Sequence, residues 1–163
     1  MRAWLLLGAL ATCSPAPPVA SRDPHVAIAS KADFEPAQLA GRWHEIARLA
    51  IAPPCPLLDV DVSGGVLRLD ETCAGTRRTR TATLVGPGRL ALSDGTALWV
   101  LWIDEGGRTA ILANPDGKIA RILDRRPDLA EDRRRTAFDV LDFNGFPATA
   151  LVPTAATAGR IAE

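Results

Sequence analysis

Turn-forming residues recur about every ten residues along most of this chain, and this spacing constrains the fold more than any other feature. Glycine, proline, asparagine and aspartate adopt turn conformations at little energetic cost. Between the turns lie short runs rich in β-forming residues. The turns are Gly64-Gly65, Ala74-Gly75, Gly86-Pro87-Gly88, Asp94-Gly95, Gly106-Gly107 and Asn114-Pro115-Asp116-Gly117. This pattern predicts a succession of antiparallel hairpins.

The runs between the turns predict eight strands. They cover residues 42–50, 57–63, 66–73, 77–85, 89–93, 97–104, 108–114 and 118–125. Closing such a meander into a barrel removes its exposed edges and leaves room for side chains or one small ligand. We therefore expect an all-β, eight-stranded antiparallel up-and-down barrel. A membrane-spanning barrel is the weaker alternative, because it needs strands of roughly nine to eleven residues and aromatic girdles, and the chain has no Tyr.

The periodicity changes after the eighth predicted strand. Asp128 and Glu131 have the spacing of a helix N-cap and its capping-box partner, and Asn144-Gly145 is a typical helix stop. The apolar residues of this segment gather on one side of a helix, so the helix should pack on the outside of the barrel. Residues 149–152 then predict a short final strand.

The first thirteen residues predict a secretory signal peptide, because one Arg precedes an apolar run too short to cross a bilayer. The run ends in Leu10-Ala11-Thr12-Cys13, which resembles the signal of bacterial lipoproteins, in which the Cys is lipidated. This resemblance implies an outer-membrane lipoprotein that faces the periplasm. Cleavage after Ala11 is the alternative and would release a soluble periplasmic protein.

Composition divides the rest of the chain. Residues 14–33 are rich in Pro, Ala and Ser and predict a flexible tether. Residues 34–153 form the predicted barrel domain, and residues 154–163 form a predicted disordered tail. The 19 Lys and Arg residues balance 19 Asp and Glu residues, so no net field attracts nucleic acid.

Two motifs in the barrel domain carry a family resemblance. Residues 41–48, GRWHEIAR, are similar to the Gly-x-Trp-Tyr-Glu-Ile-Ala-Arg of bacterial outer-membrane lipocalins and apolipoprotein D. Residues 122–127, ILDRRP, are similar to the arginine motif that ends the last barrel strand of this family. The resemblance implies that Gly41 opens the first strand, that Trp43 closes the barrel floor, and that Arg125 lies across its ring.

Strand alternation and the register of this family indicate which side chains face the interior. Counting from Trp43 and Arg125 places alternate residues of the first and last strands inside. The resemblance adds alternate residues of the sixth and seventh strands. The predicted ligand-binding residues are Glu45, Ala47, Leu49, Val100, Trp102, Ile111, Ile119 and Arg121.

Arg121 needs a partner, because a cation inside an apolar barrel is costly unless it is paired. One hypothesis is that Glu45 or ordered water satisfies its guanidinium. The other is that Arg121 binds the carboxylate or phosphate head of an amphiphilic ligand. Both hypotheses remain open from the sequence.

Cys55 and Cys73 lie nearly opposite each other across the hairpin centred on Gly64-Gly65. They could form a disulfide in an oxidising compartment, or they could remain free thiols. No metal or cofactor site is expected, because His25 lies in the predicted tether and His44 faces outward by strand alternation.

The resemblance implies a binding protein for a small lipophilic molecule such as a fatty acid or a lysophospholipid, rather than an enzyme. A structural or interaction lipoprotein of the envelope, with a barrel too full for a ligand, is the main alternative. A barrel enzyme that uses Glu45 is a weaker one. The sequence indicates no oligomeric state.

Overall fold

The computed structural model describes residues 22–154, which form a barrel with one helix outside. Each predicted strand agrees with an observed strand to within two residues at either end. The strands are β1 (Gly41–Leu49), β2 (Leu57–Ser63), β3 (Val66–Cys73), β4 (Thr76–Gly86), β5 (Arg89–Leu92), β6 (Ala97–Ile103), β7 (Thr109–Ala113), β8 (Ala120–Asp124) and β9 (Leu151–Pro153); the helix α1 is Glu131–Phe143. None of the helices between residues 22 and 154 is long and apolar enough to span a membrane.

Antiparallel pairing between β1 and β8 closes the barrel. Strands β1 to β8 pair in chain order, and His44 then lies opposite Asp124 at the closure. The short strand β9 pairs with the last part of β1, where Leu49 lies opposite Leu151. The predicted all-β, up-and-down barrel with a final strand is therefore confirmed.

The strand directions define two ends of the barrel. The floor end carries the start of β1, the end of β8 and a short 3₁₀ helix, Pro36–Leu39. The rim end carries the loop 50–56 and the turns that follow β3, β5 and β7.

Register shifts interrupt the strand pairing at three points, of which the one between Leu84 and Gly86 lies at the end of β4, and the other two are β-bulges that affect the predicted interior residues. One lies in β1 between Glu45 and Ala47, and the other lies in β6 between Val100 and Trp102. A bulge sets two residues against one on the neighbouring strand, so the residues beyond it exchange faces. Simple counting from Trp43 therefore fails beyond Glu45.

Four of the predicted interior residues consequently lie outside the barrel. Ala47, Leu49, Trp102 and Ile111 pack in the apolar cluster beneath α1, so the prediction that they face the interior was wrong. Ile111 in β7 pairs with Trp102 beyond the bulge in β6. The two residues therefore face the same side, and the prediction was wrong for both. Val100 and Ile119 pack with the interior cluster, as predicted.

Helix α1 covers this outer cluster, chiefly with Ala137 and Leu141. The helix begins at Glu131, and its N-cap is Ala130, so the prediction of Asp128 as N-cap was wrong. The Asp128 carboxylate instead accepts hydrogen bonds from Arg126. Asn144 ends the helix as predicted, and Gly145 follows with φ +81°.

The predicted flexible tether extends to residue 33, but residues 22–33 lie against the barrel domain. Asp23 N donates to Gly145 O at 2.7 Å, Ala29 N donates to Asn144 Oδ1 at 2.7 Å, and Lys31 N donates to Val100 O at 2.8 Å. A β-carbon on Gly145 would lie 3.0 Å from Asp23 O, so glycine permits this close approach. The barrel domain therefore begins before Phe34.

The predicted tail begins with a residue that belongs to the domain. Thr154 is completely buried and donates from its backbone N to Ile46 O at 3.0 Å. The predicted signal peptide with Cys13, residues 14–21 of the tether, and residues 155–163 lie outside the described residues.

Candidate functional site

Trp43 and Arg125 close the floor of the barrel. The Trp43 side chain is completely buried, and its Nε1 donates to Leu39 O at 2.8 Å. The guanidinium carbon of Arg125 lies 3.5 Å from the centroid of the Trp43 ring. This contact is a cation–π interaction, and it confirms the stacking that the sequence resemblance implied.

The Arg125 guanidinium also joins three separate segments of the floor. Its Nε donates to Gly107 O at 3.1 Å, and its terminal nitrogens donate to Arg42 O at 3.0 Å and Gln38 O at 3.2 Å. Gly41 has φ +94°, and a β-carbon there would lie 3.2 Å from Arg125 Nη1. These contacts give Gly41, Trp43 and Arg125 a structural role at the floor.

Arg121 is buried near the rim between two carboxylates. Its Nε donates to Glu45 Oε2 at 2.5 Å, and its Nη1 donates to Glu71 Oε1 at 2.5 Å. Its Nη2 donates to Cys55 O at 3.1 Å. Every nitrogen of the guanidinium therefore has a partner within the protein, and Glu45 is one of them, as one sequence hypothesis proposed.

Glu45 is equally well satisfied. Its Oε1 accepts from Cys55 N at 3.0 Å and from the Thr154 hydroxyl at 2.7 Å, while its Oε2 binds Arg121. The carboxylate thus ties β1, the loop 50–56, β8 and the residue after β9 together. Neither oxygen is left without a partner to act as a general base.

Glu71 extends this arrangement across the barrel. Its Oε2 accepts from Arg80 Nη2 at 2.5 Å, and Arg80 Nη1 donates to Asp94 Oδ2 at 3.1 Å at the rim. We call these five residues the ion chain: Glu45, Arg121, Glu71, Arg80 and Asp94. Its charges alternate in sign along its length, so Arg121, Glu71 and Arg80 each lie between two opposite charges.

The charges of the ion chain reinforce one another. Burial disfavours the charged guanidinium of Arg121, but the carboxylates of Glu45 and Glu71 outweigh it and raise the pKa of Arg121 above its ordinary value. Burial also acts to raise the pKa of Glu71, but Arg121 and Arg80 outweigh it and lower that pKa below its ordinary value. Both groups are therefore charged at neutral pH.

Sequence reasoning missed Glu71 and Arg80. The signal was present, because Leu67 and Leu69 face the interior and Glu71 follows them at the next alternate position of β3. In β4, Arg80 likewise precedes the interior residue Ala82 by two positions. Both residues carry charges that a search for apolar ligand contacts passes over.

The predicted disulfide is present between Cys55 and Cys73. It adjoins the ion chain, because Cys55 bonds both Glu45 and Arg121 through its backbone. The two sulfurs and the Glu71 carboxylate lie within 4.8 Å of one another. The sulfurs are bonded together and Glu71 binds two arginines, so these groups are poorly suited to hold a metal ion.

The interior of the barrel therefore has two parts. The ion chain lies in the rim half, and an apolar cluster fills the floor half and extends into the rim half at Leu98 and at Leu112, which lies opposite Arg121. Members of this cluster include Trp43, Leu58, Leu67, Leu69, Leu90, Leu98, Val100, Leu112 and Leu123, each at most 3% exposed. A polar layer above an apolar layer is a suitable arrangement for an amphiphile or, if closely packed, for a rigid core.

No family model matches the sequence, and no curated protein matches it. Solved structures do match. The structure of Per a 4, a major allergen from cockroaches, superposes with a TM-score of 0.64 at 12% identity over 81% of this chain and 95% of that chain.

Two further similar structures are those of insecticyanin and apocrustacyanin C1. Insecticyanin from the tobacco hornworm Manduca sexta has a TM-score of 0.56 and 19% identity over 78% of this chain and 83% of its own. Apocrustacyanin C1 has a TM-score of 0.54 and 15% identity over 79% of this chain and 88% of its own. These three proteins are lipocalins. The fold of this chain is therefore a lipocalin-like barrel, as the sequence resemblance implied.

Proposed function

We propose that this protein binds a small lipophilic molecule inside its barrel and stores or carries it. The observation that supports this proposal is the two-part interior, with an apolar half that ends at Trp43 and a polar half around Arg121. An amphiphile would place its tail along the aliphatic floor half and its head group at the ion chain. The lipocalin-like fold supports the same class of function.

The ligand we propose is a single-chain acidic amphiphile, either a fatty acid or a lysophospholipid. A single chain is favoured because many side chains already occupy the interior. An acidic head group would compete with Glu45 or Glu71 for the Arg121 guanidinium, which can bind a carboxylate or phosphate in bidentate fashion. A ligand that replaces Glu71 leaves the Arg121 cation paired, and the displaced Glu71 carboxylate keeps its contact with Arg80.

A second candidate function is a structural or interaction role for a barrel that holds no ligand. The ion chain favours this candidate, because all three nitrogens of Arg121 and both oxygens of Glu45 already have protein partners. In that case the ion chain serves as a polar core that specifies how the strands pair at the rim. The same saturation of Glu45 argues against a barrel enzyme.

Native mass spectrometry separates the two candidates. Delipidated, detergent-free protein would be mixed with oleic acid, with a lysophospholipid and with oleyl alcohol as the neutral analogue. A one-to-one adduct supports the binding proposal, and its absence supports the structural role. Arg121→Leu should weaken the two acidic ligands more than oleyl alcohol, whereas the exposed control Arg77→Leu should change neither.

Fluorescence supplies a second measurement. Trp43 lies in the interior cluster, while Trp99 and Trp102 pack beneath the helix. In a variant with Trp4, Trp99 and Trp102 replaced by Phe, Trp43 is the remaining tryptophan, and a ligand in the floor half should change its emission. Emission that stays constant as fatty acid is added would oppose binding in the floor half.

We further propose that Cys13 is lipidated and tethers the domain to the outer membrane, facing the periplasm; a soluble periplasmic protein is the alternative. The Leu10-Ala11-Thr12-Cys13 sequence supports the tether, and the Cys55–Cys73 disulfide supports an oxidising compartment. Labelling of cells with radioactive palmitate tests the tether. Wild-type protein should incorporate label and sediment with outer membranes, and Cys13→Ala should do neither.

A further inference from the structure

An arginine-rich cavity lies outside the barrel at its floor end, away from the proposed interior ligand site. It has a volume of about 290 Å³ and opens between the turn that follows β6, the end of β8 and the start of α1. Four of its eight lining residues are arginines. The charged residues in its wall are Arg108, Arg125, Arg126, Arg133, Asp124 and Asp128.

The wall of this cavity carries an excess of positive charge. Four guanidinium groups face two carboxylates, a formal charge of +2 that Asp104 beside Arg108 lowers to +1, whereas the whole chain has a net charge of +0. Asp124 is 1% exposed and is already engaged by the Thr109 hydroxyl at 2.6 Å and by Arg126 N at 2.9 Å. Its carboxylate is therefore held inside the fold, and the cavity itself attracts anions.

The arginines of the wall differ in how the fold uses them. Arg125 is committed to the floor through all three nitrogens. Within the described part of the chain, the guanidinium of Arg133 has its partners at Nε, which donates to the Thr109 hydroxyl at 2.9 Å and lies 3.5 Å from Asp124 Oδ2. Arg108 has Nε 3.5 Å from Asp104 Oδ2. These contacts do not use the terminal amino groups of Arg108 and Arg133.

We propose that this cavity is a binding site for a phosphate group. Arg108 and Arg133 donate from their terminal amino groups, and Arg126, whose Nε and Nη2 bind the Asp128 carboxylate, lies at the same wall. Guanidinium groups bind phosphate oxygens in pairs, and several converging arginines suit the tetrahedral, doubly charged phosphate better than a planar, singly charged carboxylate. The phosphate belongs either to a free phosphate monoester or to a lipid head group.

The test uses the full chain with Cys13→Ser, so that no attached lipid contributes to binding. Calorimetric titration with inorganic phosphate and with glycerol phosphate at low salt should show saturable binding, and acetate should bind more weakly. Arg108→Gln and Arg133→Gln should each weaken phosphate binding about tenfold or more, since each removes charge-assisted hydrogen bonds. Arg77→Gln, an exposed arginine on β4, is the matched control and should bind like the wild type.

Arg133 contacts buried groups, so Arg133→Gln is expected to lower stability. Arg108 has a largely exposed side chain, and its variant should fold normally.

Sedimentation with phosphatidic acid vesicles, against phosphatidylcholine vesicles, distinguishes a lipid head group from a free phosphate monoester. Binding to phosphatidic acid that depends on Arg108 assigns the site to a lipid head group, and binding to the soluble phosphates alone assigns it to a free monoester. The proposal would be overturned if neither the soluble phosphates nor the phosphatidic acid vesicles bind. It would also be overturned if Arg108→Gln and Arg77→Gln bind phosphate with equal affinity.

Discussion

Arg121 donates from Nε to Glu45 Oε2 at 2.5 Å, although 76 residues separate the two in the chain. They meet because β1 and β8 are neighbours only after the barrel closes. The same guanidinium bonds Glu71, so one cation joins three strands. The pair is therefore a device of barrel closure as well as a candidate ligand contact.

Replacing Arg121 should strongly lower the free energy of unfolding. Arg121→Leu leaves two buried carboxylates without their shared partner, and breaking such a buried pair costs about 3–5 kcal/mol. Urea unfolding followed by circular dichroism measures the loss. The exposed Arg77→Leu should change stability by less than about 0.5 kcal/mol. A loss for Arg121→Leu as small as that of the control would show that the ion chain contributes little.

Acid should weaken the fold through Glu71. Its pKa in the folded protein is lowered from 4.5, so the stabilisation from its charged form is fully present above that pH. It is lost as the pH falls through the lower folded-state pKa. Urea unfolding at pH 7, 5 and 3 should therefore show a difference between wild type and Glu71→Gln that shrinks below pH 4.5. A difference that stays constant over this range would contradict the linkage.

The disulfide should contribute measurably to stability. Cys55 and Cys73 are 18 residues apart, and a loop of this size stabilises by roughly 3 kcal/mol in the chain-entropy model. The Cys55→Ala, Cys73→Ala variant should lose about this amount relative to oxidised protein. Reduced wild-type protein is the control and should resemble the double variant. Equal stability of oxidised and reduced wild type would argue against this contribution.

Arg125 should not be replaceable by lysine. Its planar guanidinium donates to the carbonyls of Gln38, Arg42 and Gly107 and stacks on Trp43, a combination that an ammonium group cannot reproduce. Arg125→Ala should cost about 2–4 kcal/mol, and Arg125→Lys should recover less than half of it. Thermal unfolding gives the comparison, and full recovery by lysine would show that charge alone suffices at the floor.

Trp102 should matter for stability and not for an interior ligand. It is half-buried beneath α1, so Trp102→Ala should lose about 1–2 kcal/mol of stability. The affinity for oleic acid, measured by native mass spectrometry, should stay unchanged. Val100→Ala, which enlarges the interior, is the contrasting variant and should alter that affinity. Loss of the fatty acid adduct in Trp102→Ala would indicate that Trp102 contacts the ligand, as predicted from the sequence.

Much of the fold could be predicted because its signals are local. Turn residues mark the hairpins, and the strand bounds follow from them. The Trp43–Arg125 contact and the Cys55–Cys73 disulfide were also predictable, the first from a family resemblance and the second from the length of one hairpin. The Glu45–Arg121 pair was one of two hypotheses that alternation and the cost of an unpaired buried charge left open.

The remaining features depend on distant parts of the chain. The bulges in β1 and β6 are defined by two residues facing one on a neighbouring strand, so no local pattern reveals them. Because of these bulges, Ala47 and Trp102, which were predicted to face the interior, pack in the outer cluster. The packing of residues 22–33 depends on Asn144 and Gly145, more than a hundred residues later.

The sequence by itself determined the number of strands, their bounds and the barrel topology, because turn chemistry and strand alternation act over a few residues. The tertiary structure decided which residues face the interior beyond each bulge, and it brought Glu71 and Arg80 to Arg121. The register between strands that are distant in the chain determines both the interior-facing residues and the partners of Arg121. A buried charge can be satisfied only by the groups that strand pairing places beside it.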